Sequence, residues 1–289
     1  LRSIPPGALL GIFVLAFAGN MLLYRLAGRD GVRMLDMTSG AFLIAGLAMA
    51  PFLGRLAPAP GRRARLRLVV SLAIIILIGG VVAFWAMAEG LRISGAARGG
   101  LIFMTVPVVT AMIEALLGTR FARRILATGG LIVLGGLLLS APGLAGASNP
   151  RGDLLLAITA VTFAIANVAA RTATAAWPPV SVAAFRAGGA GLGLLLVGAA
   201  PFAAGRWAVA SGLLAAVFLS TFYVLIERIG PARASLANVY SSLLAALFGV
   251  LFMGESLAPI QIAGGLVIIV ASLAEIRARV VEDDSARAA

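Results

Sequence analysis

The chain has 289 residues, 61% apolar and only 12% charged, with a formal net charge of +12 and a mean hydropathy of +1.07. Soluble domains carry about 45–50% apolar and about 25% charged residues, so a water-soluble fold is excluded and an all-α membrane protein is expected. Cysteine and histidine are absent, which removes disulfides, thiolate chemistry and imidazole metal sites, and no cofactor or metal is expected.

Runs of about 20 mostly apolar residues cross a hydrocarbon core. Ten are predicted, at 5–26, 35–56, 67–88, 95–117, 122–141, 153–173, 179–201, 207–229, 231–253 and 258–276. The first is too long for the apolar part of a signal peptide and lacks a small-residue cleavage pattern, so it is expected to be retained. It sets Phe13, Phe17, Asn20 and Tyr24 on one helical face. Run six has a matching face in Ala160, Phe163, Asn167 and Arg171. Asparagine facing lipid is costly, so both faces are expected to look into the bundle, as interhelical hydrogen bonds or as the wall of a wet cavity.

Ala57–Arg67, with Pro58, Pro60 and four arginines, reads as a cytoplasmic anchor loop. Run three carries Ile78, Val81, Trp85 and Glu89 on one face, with Gly79-Gly80 thinning the helix. Trp85 reads as an interfacial belt residue or as a stacking wall of a cavity. Run four has Gly95 and Gly99 at close-packing spacing, then Pro107, expected to kink the helix and act as a hinge, then Glu114 near its inner end.

Arg186 lies about eight residues into run seven, roughly 12 Å at about 1.5 Å per residue. A central arginine is expensive, so it either snorkels to the near interface or forms a gating ion pair with Glu114 or Glu227. Run eight aligns Ala216, Ser220, Tyr223 and Glu227, and run nine aligns Ala234, Asn238, Ser241 and Ala245 with Tyr240 beside them. Two polar stripes on neighbouring helices are expected to line a water-filled path. The candidate cavity set is therefore Phe13, Phe17, Asn20, Tyr24, Ile78, Trp85, Phe163, Asn167, Ser220, Tyr223, Asn238 and Ser241, with Glu114, Arg186 and Glu227 as gating groups and Pro107 as hinge.

Every basic residue is arginine. With a cytoplasmic N-terminus, the inside segments hold Arg2, Arg55, Arg62, Arg63, Arg65, Arg67, Arg120, Arg123, Arg124, Arg171, Arg228, Arg233, Arg277, Arg279 and Arg287, fifteen in all. The outside holds Arg25, Arg29, Arg33, Arg92, Arg98, Arg151 and Arg206, seven in all. The positive-inside rule then puts both termini in the cytoplasm, with 277–289 as a mixed-charge, disordered tail.

Residues 94–140 return at 230–274, each copy following an Arg-Ile pair, breaking at a glycine (Gly118, Gly254) and resuming through a double glycine (Gly129-Gly130, Gly264-Gly265). Phe17-Ala18-Gly19-Asn20 is echoed by Ala164-Ile165-Ala166-Asn167, Ser39-Gly40-Ala41-Phe42 by Val182-Ala183-Ala184-Phe185, and Pro51-Phe52 by Pro201-Phe202. Echoes in one order indicate a duplicated half, with repeats at 1–147 and 148–276. Five runs per half is an odd number, so the halves enter the membrane from opposite sides. The expected fold is ten transmembrane helices, as two inverted five-helix repeats around a central cavity.

With its double copy, Pro107, Phe185-Arg186 and Gly254-Glu255, the chain resembles the ten-span, two-copy permease branch of the drug/metabolite transporter superfamily and the bacterial aromatic and neutral amino-acid exporters related to it. It departs from that pattern at Gly118-Thr119-Arg120, where Gly-Glu is usual, and at Leu243-Leu244, where a proline is usual. The resemblance implies a cavity lined by spans one, three, four, six, eight and nine, working by alternating access to export amino acids or similar metabolites across a bacterial inner membrane. The residues themselves mix aromatic rings with uncharged hydrogen-bonding groups, which suits apolar or aromatic amino acids; phosphorylated substrates need clustered cations. A multidrug exporter of lipophilic compounds is the alternative. An enzyme is disfavoured, for no metal site, Ser-His pair or carboxylate dyad can be built. The expected partners are a small-molecule substrate and the lipid bilayer, with no nucleic acid and a monomeric chain. Glu89, Glu114 and Glu227 sit near span ends, which favours facilitated or loosely coupled transport over proton coupling.

Overall fold

The computed structural model describes residues 4–55, 61–118, 123–144 and 149–271, and among them every regular element is helical. In chain order the helices are α1 (Pro6–Arg29), α2 (Met34–Met49), α3 (Gly61–Gly95), α4 (Arg98–Leu116), α5 (Arg123–Leu144), α6 (Pro150–Ala176), α7 (Pro179–Leu195), α8 (Gly205–Ile229), α9 (Pro231–Met253) and α10 (Pro259–Ala271). Seven are long and apolar enough to cross a membrane, α2 by continuing through a 3-10 turn to Leu53, while Thr128–Leu144 within α5, together with α7 and α10, are shorter apolar helices. The tail 277–289 lies outside the described residues. Prolines open α1, α6, α7 and α9, where their fixed φ suits the first turn and no hydrogen bond is lost.

Helix α3 is longer than the predicted run. The arginines Arg62, Arg63, Arg65 and Arg67 are exposed on its first turns instead of lying in a loop. Arginine, leucine and alanine are good helix formers, and nothing after Gly61 breaks the pattern. Around Gly79-Gly80 the helix widens into a π segment, Ile74–Val82. There α3 lies against Ala166 of α6 and Ala190 of α7, whose side chains occupy the space that Cβ atoms on the two glycines would need. Gly95, at φ 79°, turns α3 into α4. Within α4 a break falls at Thr105, whose Oγ1 donates to the Ile102 carbonyl at 2.6 Å, and Pro107 stands in the first turn of the helix that resumes at Val106.

The halves interlock as an inverted repeat. Contacts of α1 with α8 are matched by those of α3 with α6, while α2 with α7 and α4 with α9 pack across the relating axis. Gly46 of α2 meets the backbone of Gly188 in α7, and Ser39 Oγ donates to the Gly191 carbonyl at 2.8 Å. Gly264 of α10 meets the backbone of Gly135 and Leu139 in α5. Small residues permit these approaches between helices that gain nothing from hydrophobic burial in lipid.

The two ends of the bundle differ. At one, the Glu114 end, Leu9, Leu68, Leu72, Ala173 and Ile226 belong to the main buried cluster. Glu114 there pairs with Arg171 at 3.3 Å and accepts the Ala232 N–H at 3.1 Å, at the positive N-terminus of α9. Arg228 Nη1 donates to the Ile4 carbonyl at 2.6 Å. At the other, the Asp36 end, Asp36 is 4% exposed and accepts hydrogen bonds from Arg33 (2.8 and 2.6 Å) and the Ala200 N–H (2.7 Å). Asp36 thus ties the start of α2 to the link between α7 and α8. Its hydrogen bonds, then its charge, raise the pKa of Arg33 further above the ordinary arginine value.

Candidate functional site

A cavity of about 550 Å³ runs from the middle of the bundle to the Asp36 end. Eight phenylalanines line it: Phe13 and Phe17 from α1, Phe42 from α2, Phe84 from α3, Phe103 from α4, Phe163 from α6, and Phe218 and Phe222 from α8. They form one connected belt. Phe13 contacts Phe222 at 5.3 Å and Phe17 contacts Phe218 at 4.9 Å, and the chain continues through Phe103, Phe163 and Phe84 to Phe42 with edge-to-face steps of 5.6, 5.1 and 4.9 Å. Edge-to-face packing offsets the ring quadrupoles and fixes the rings as a stiff wall.

Polar groups interrupt the belt. Asn20 accepts from Ser211 Oγ at 2.6 Å, and Tyr24 shares a 2.8 Å hydrogen bond with Thr38. Asn167 and Asn238 line the cavity at 8% exposure each, and their side chains have no hydrogen-bond partner among the described residues. Asp153 Oδ1 is the one inaccessible, unbonded side-chain N or O atom among those residues, so the unbonded amide atoms of both asparagines retain access to the cavity. At the mouth, Arg25 of α1 pairs with Glu255 beyond α9 at 2.9 Å, both about two-fifths exposed. Gly249 lies beneath this pair, in space that a Cβ would take from it.

Arg186 of α7 also lines the cavity, 8% exposed. It forms neither expected ion pair. Its Nη2 donates to the Gly79 carbonyl at 3.3 Å, and its guanidinium lies 5.8 and 5.9 Å from the ring centres of Phe42 and Phe84. Gly79 lies in the π segment of α3, and the two rings hold the guanidinium by cation–π contact while leaving its charge uncompensated. Glu114 is engaged with Arg171 at the sealed end. Glu227 is not on the cavity wall either.

Of the sequence-predicted cavity residues, the structure gathers Phe13, Phe17, Asn20, Tyr24, Phe163, Asn167 and Asn238 and leaves out five. Trp85 is 39% exposed away from the cavity, and Ile78 lies in the π segment, whose wider turn carries its face elsewhere; α3 presents Phe84, Met87 and Leu91 instead. Ser220 donates to Met49 Sδ at 3.1 Å, and Tyr223 is buried in the main cluster. Both belong to the face of α8 opposite Phe218 and Phe222, because at about 100° per residue the two stripes are half a turn apart. Ser241 is turned into the bundle, donating to the Ala237 carbonyl, and Ser242 takes the cavity position. Sequence reasoning missed most of the phenylalanine belt. The spacing of Phe218 and Phe222 was a usable signal, whereas Phe42 and Phe84 sit in uniformly apolar surroundings that mark no face.

A solved crystal structure superposes on 96% of this chain and 98% of its own, with a TM-score of 0.74 at 20% identity, which establishes a shared fold. A search of curated protein sequences finds no match. The family model for EamA-like transporters matches twice, over residues 5–141 and 150–274. With two such repeats and, among the described residues, ten helices bundled around a cavity, the chain belongs to the EamA-like transporter family of the drug/metabolite transporter superfamily, whose members are membrane transporters of small solutes and not enzymes.

Proposed function

We propose that the protein is a secondary transporter that exports amino acids with apolar or aromatic side chains, or similar small metabolites, by alternating access. The observation that carries this reading is the cavity wall: eight phenylalanines around uncharged hydrogen-bonding groups, in about 550 Å³. That volume is within the range of small-molecule sites. The arginine bias supports both termini in the cytoplasm, the resemblance to bacterial exporters supports an inner-membrane location, and the echoes between the halves support repeats at 1–147 and 148–276. In that orientation the Glu114 end faces the cytoplasm, and the conformation described is closed inside and open outside. Pro107, beside the break in α4, serves as the hinge when the ends exchange states. Glu114, at the sealed end, is engaged in helix ties, which favours facilitated or loosely coupled export.

The apolar belt also favours a second reading, a multidrug exporter of lipophilic compounds. Counterflow in proteoliposomes separates the two, with a labelled neutral amino acid outside and unlabelled amino acids, sugars or drugs trapped inside. Exchange driven by amino acids is expected; exchange driven by drugs alone overturns the substrate assignment.

A further inference from the structure

Arg186 is the cavity's unexplained charge. It is 8% exposed in the middle of a membrane-embedded bundle, makes one hydrogen bond, to the Gly79 carbonyl, and has no acidic partner among the described residues. A guanidinium has five donors in a planar fork, so most of this fork is unused. Its unbonded nitrogens are not among the inaccessible atoms, so they reach the cavity that the residue lines. Phe42 and Phe84, at 5.8 and 5.9 Å, hold the group in place without cancelling its charge. Arg25, the other cation on the wall, is already paired with Glu255 at 2.9 Å.

We propose that Arg186 reads a substrate carboxylate, so that the transported solute carries one carboxylate with an apolar remainder lying on the phenylalanine belt. This rests on the carrier reading above and narrows its substrate class. One uncompensated guanidinium matches one carboxylate, which it binds through two parallel N–H donors. It falls short of a phosphorylated group, which takes several cations, and it repels a lipophilic cation. The free carbonyl oxygens of Asn167 and Asn238, on the same wall, are available to an α-ammonium group.

The test is homoexchange by the full chain in proteoliposomes, each compound labelled outside with its unlabelled copy inside and protein-free vesicles as control. The compounds are phenylalanine, phenylalaninamide, phenylethylamine and phenylacetate. The expected result is exchange of the acids at least about tenfold above the amide and the amine, the scale of one hydrogen bond to a charged group. Arg186→Gln removes that preference, the acids falling at least about tenfold while the amide and the amine do not fall, and Arg186→Lys keeps part of it. Equal exchange of acid and amide by the unaltered protein overturns the proposal and leaves amino-acid export standing. Exchange of phenylacetate without phenylalanine supports Arg186 as carboxylate reader and overturns the amino-acid reading. If Arg186→Gln does not fold, the acid-to-amide ratio of the unaltered protein decides.

Discussion

Replacing Gly46 by alanine places a methyl group 2.8 Å from both the Cα and the N of Gly188, where ordinary contact begins at 3.4 Å. Both atoms belong to backbone, so no rotamer relieves the clash, and α2 and α7 must part by about 0.6 Å at the crossing that joins the two halves. Overpacking of this kind costs about 1–3 kcal/mol. The same contact supplies its own control, because a Cβ on Gly188 meets nothing within 4 Å. Gly188→Ala therefore keeps the crossing and gains up to about 1 kcal/mol of helix propensity. In the same detergent, Gly46→Ala is expected to lower Tm by about 2–12 °C, at roughly 2–4 °C per kcal/mol for chains approaching this length. Gly188→Ala is expected to leave Tm unchanged or raise it. Equal losses from the two changes would refute the asymmetric crossing of α2 and α7.

Asp36→Ala strips the acceptor from Arg33 and from the Ala200 N–H at a site 4% exposed, and should cost about 2–3 kcal/mol, seen as a lower denaturation midpoint. The raised pKa of Arg33 means that its share of this tie is fully present below the ordinary arginine value and is lost only as pH climbs past the folded-state value. The Arg33 tie therefore gives no reason for Tm to change between about pH 7 and pH 10. Glu114→Gln weakens the tie to Arg171 and the positive end of α9, costing about 1–2 kcal/mol. Transport by this variant should keep its pH profile, and a pH gradient driving uphill uptake that this change abolishes would show proton coupling instead. Pro107→Ala restores an N–H beside the break at Thr105 and should slow exchange without weakening competition by the substrate; a rise in half-inhibitory concentration with unchanged rate would remove Pro107 as hinge.

Architecture was the legible part, because membrane spans depend on composition and length, and an inverted repeat leaves the same small-residue marks in both halves. Helix rotation was harder to read. On α1 the rings and Asn20 coincide on one face, and that face lines the cavity, but on α8 the polar stripe through Ser220 packs against Met49 while the apolar Phe218 and Phe222 face the cavity. In a bilayer, polar side chains are drawn to helix contacts as readily as to water, so polarity alone does not distinguish the two faces. Arg186 was recognisable as a costly residue, but its neighbours were not, since the backbone carbonyl of Gly79 and two phenylalanine faces carry no charge pattern. The π segment of α3 was also invisible to a fixed helical period, which displaced Ile78 and Trp85.

The absence of native cysteine allows a direct test of alternating access. Single cysteines would be placed at Ser242 on the cavity wall and at Ala173 in the seal of the Glu114 end, then exposed to a membrane-impermeant maleimide from either side. Alternating access predicts labelling at position 242 of the resting protein from the Asp36 side, slowed by substrate, and labelling at position 173 from the opposite side only while substrate is being exchanged. A cysteine at 173 that stays unreactive during rapid exchange, or one at 242 that labels from both sides at once, would contradict a carrier that opens one end at a time.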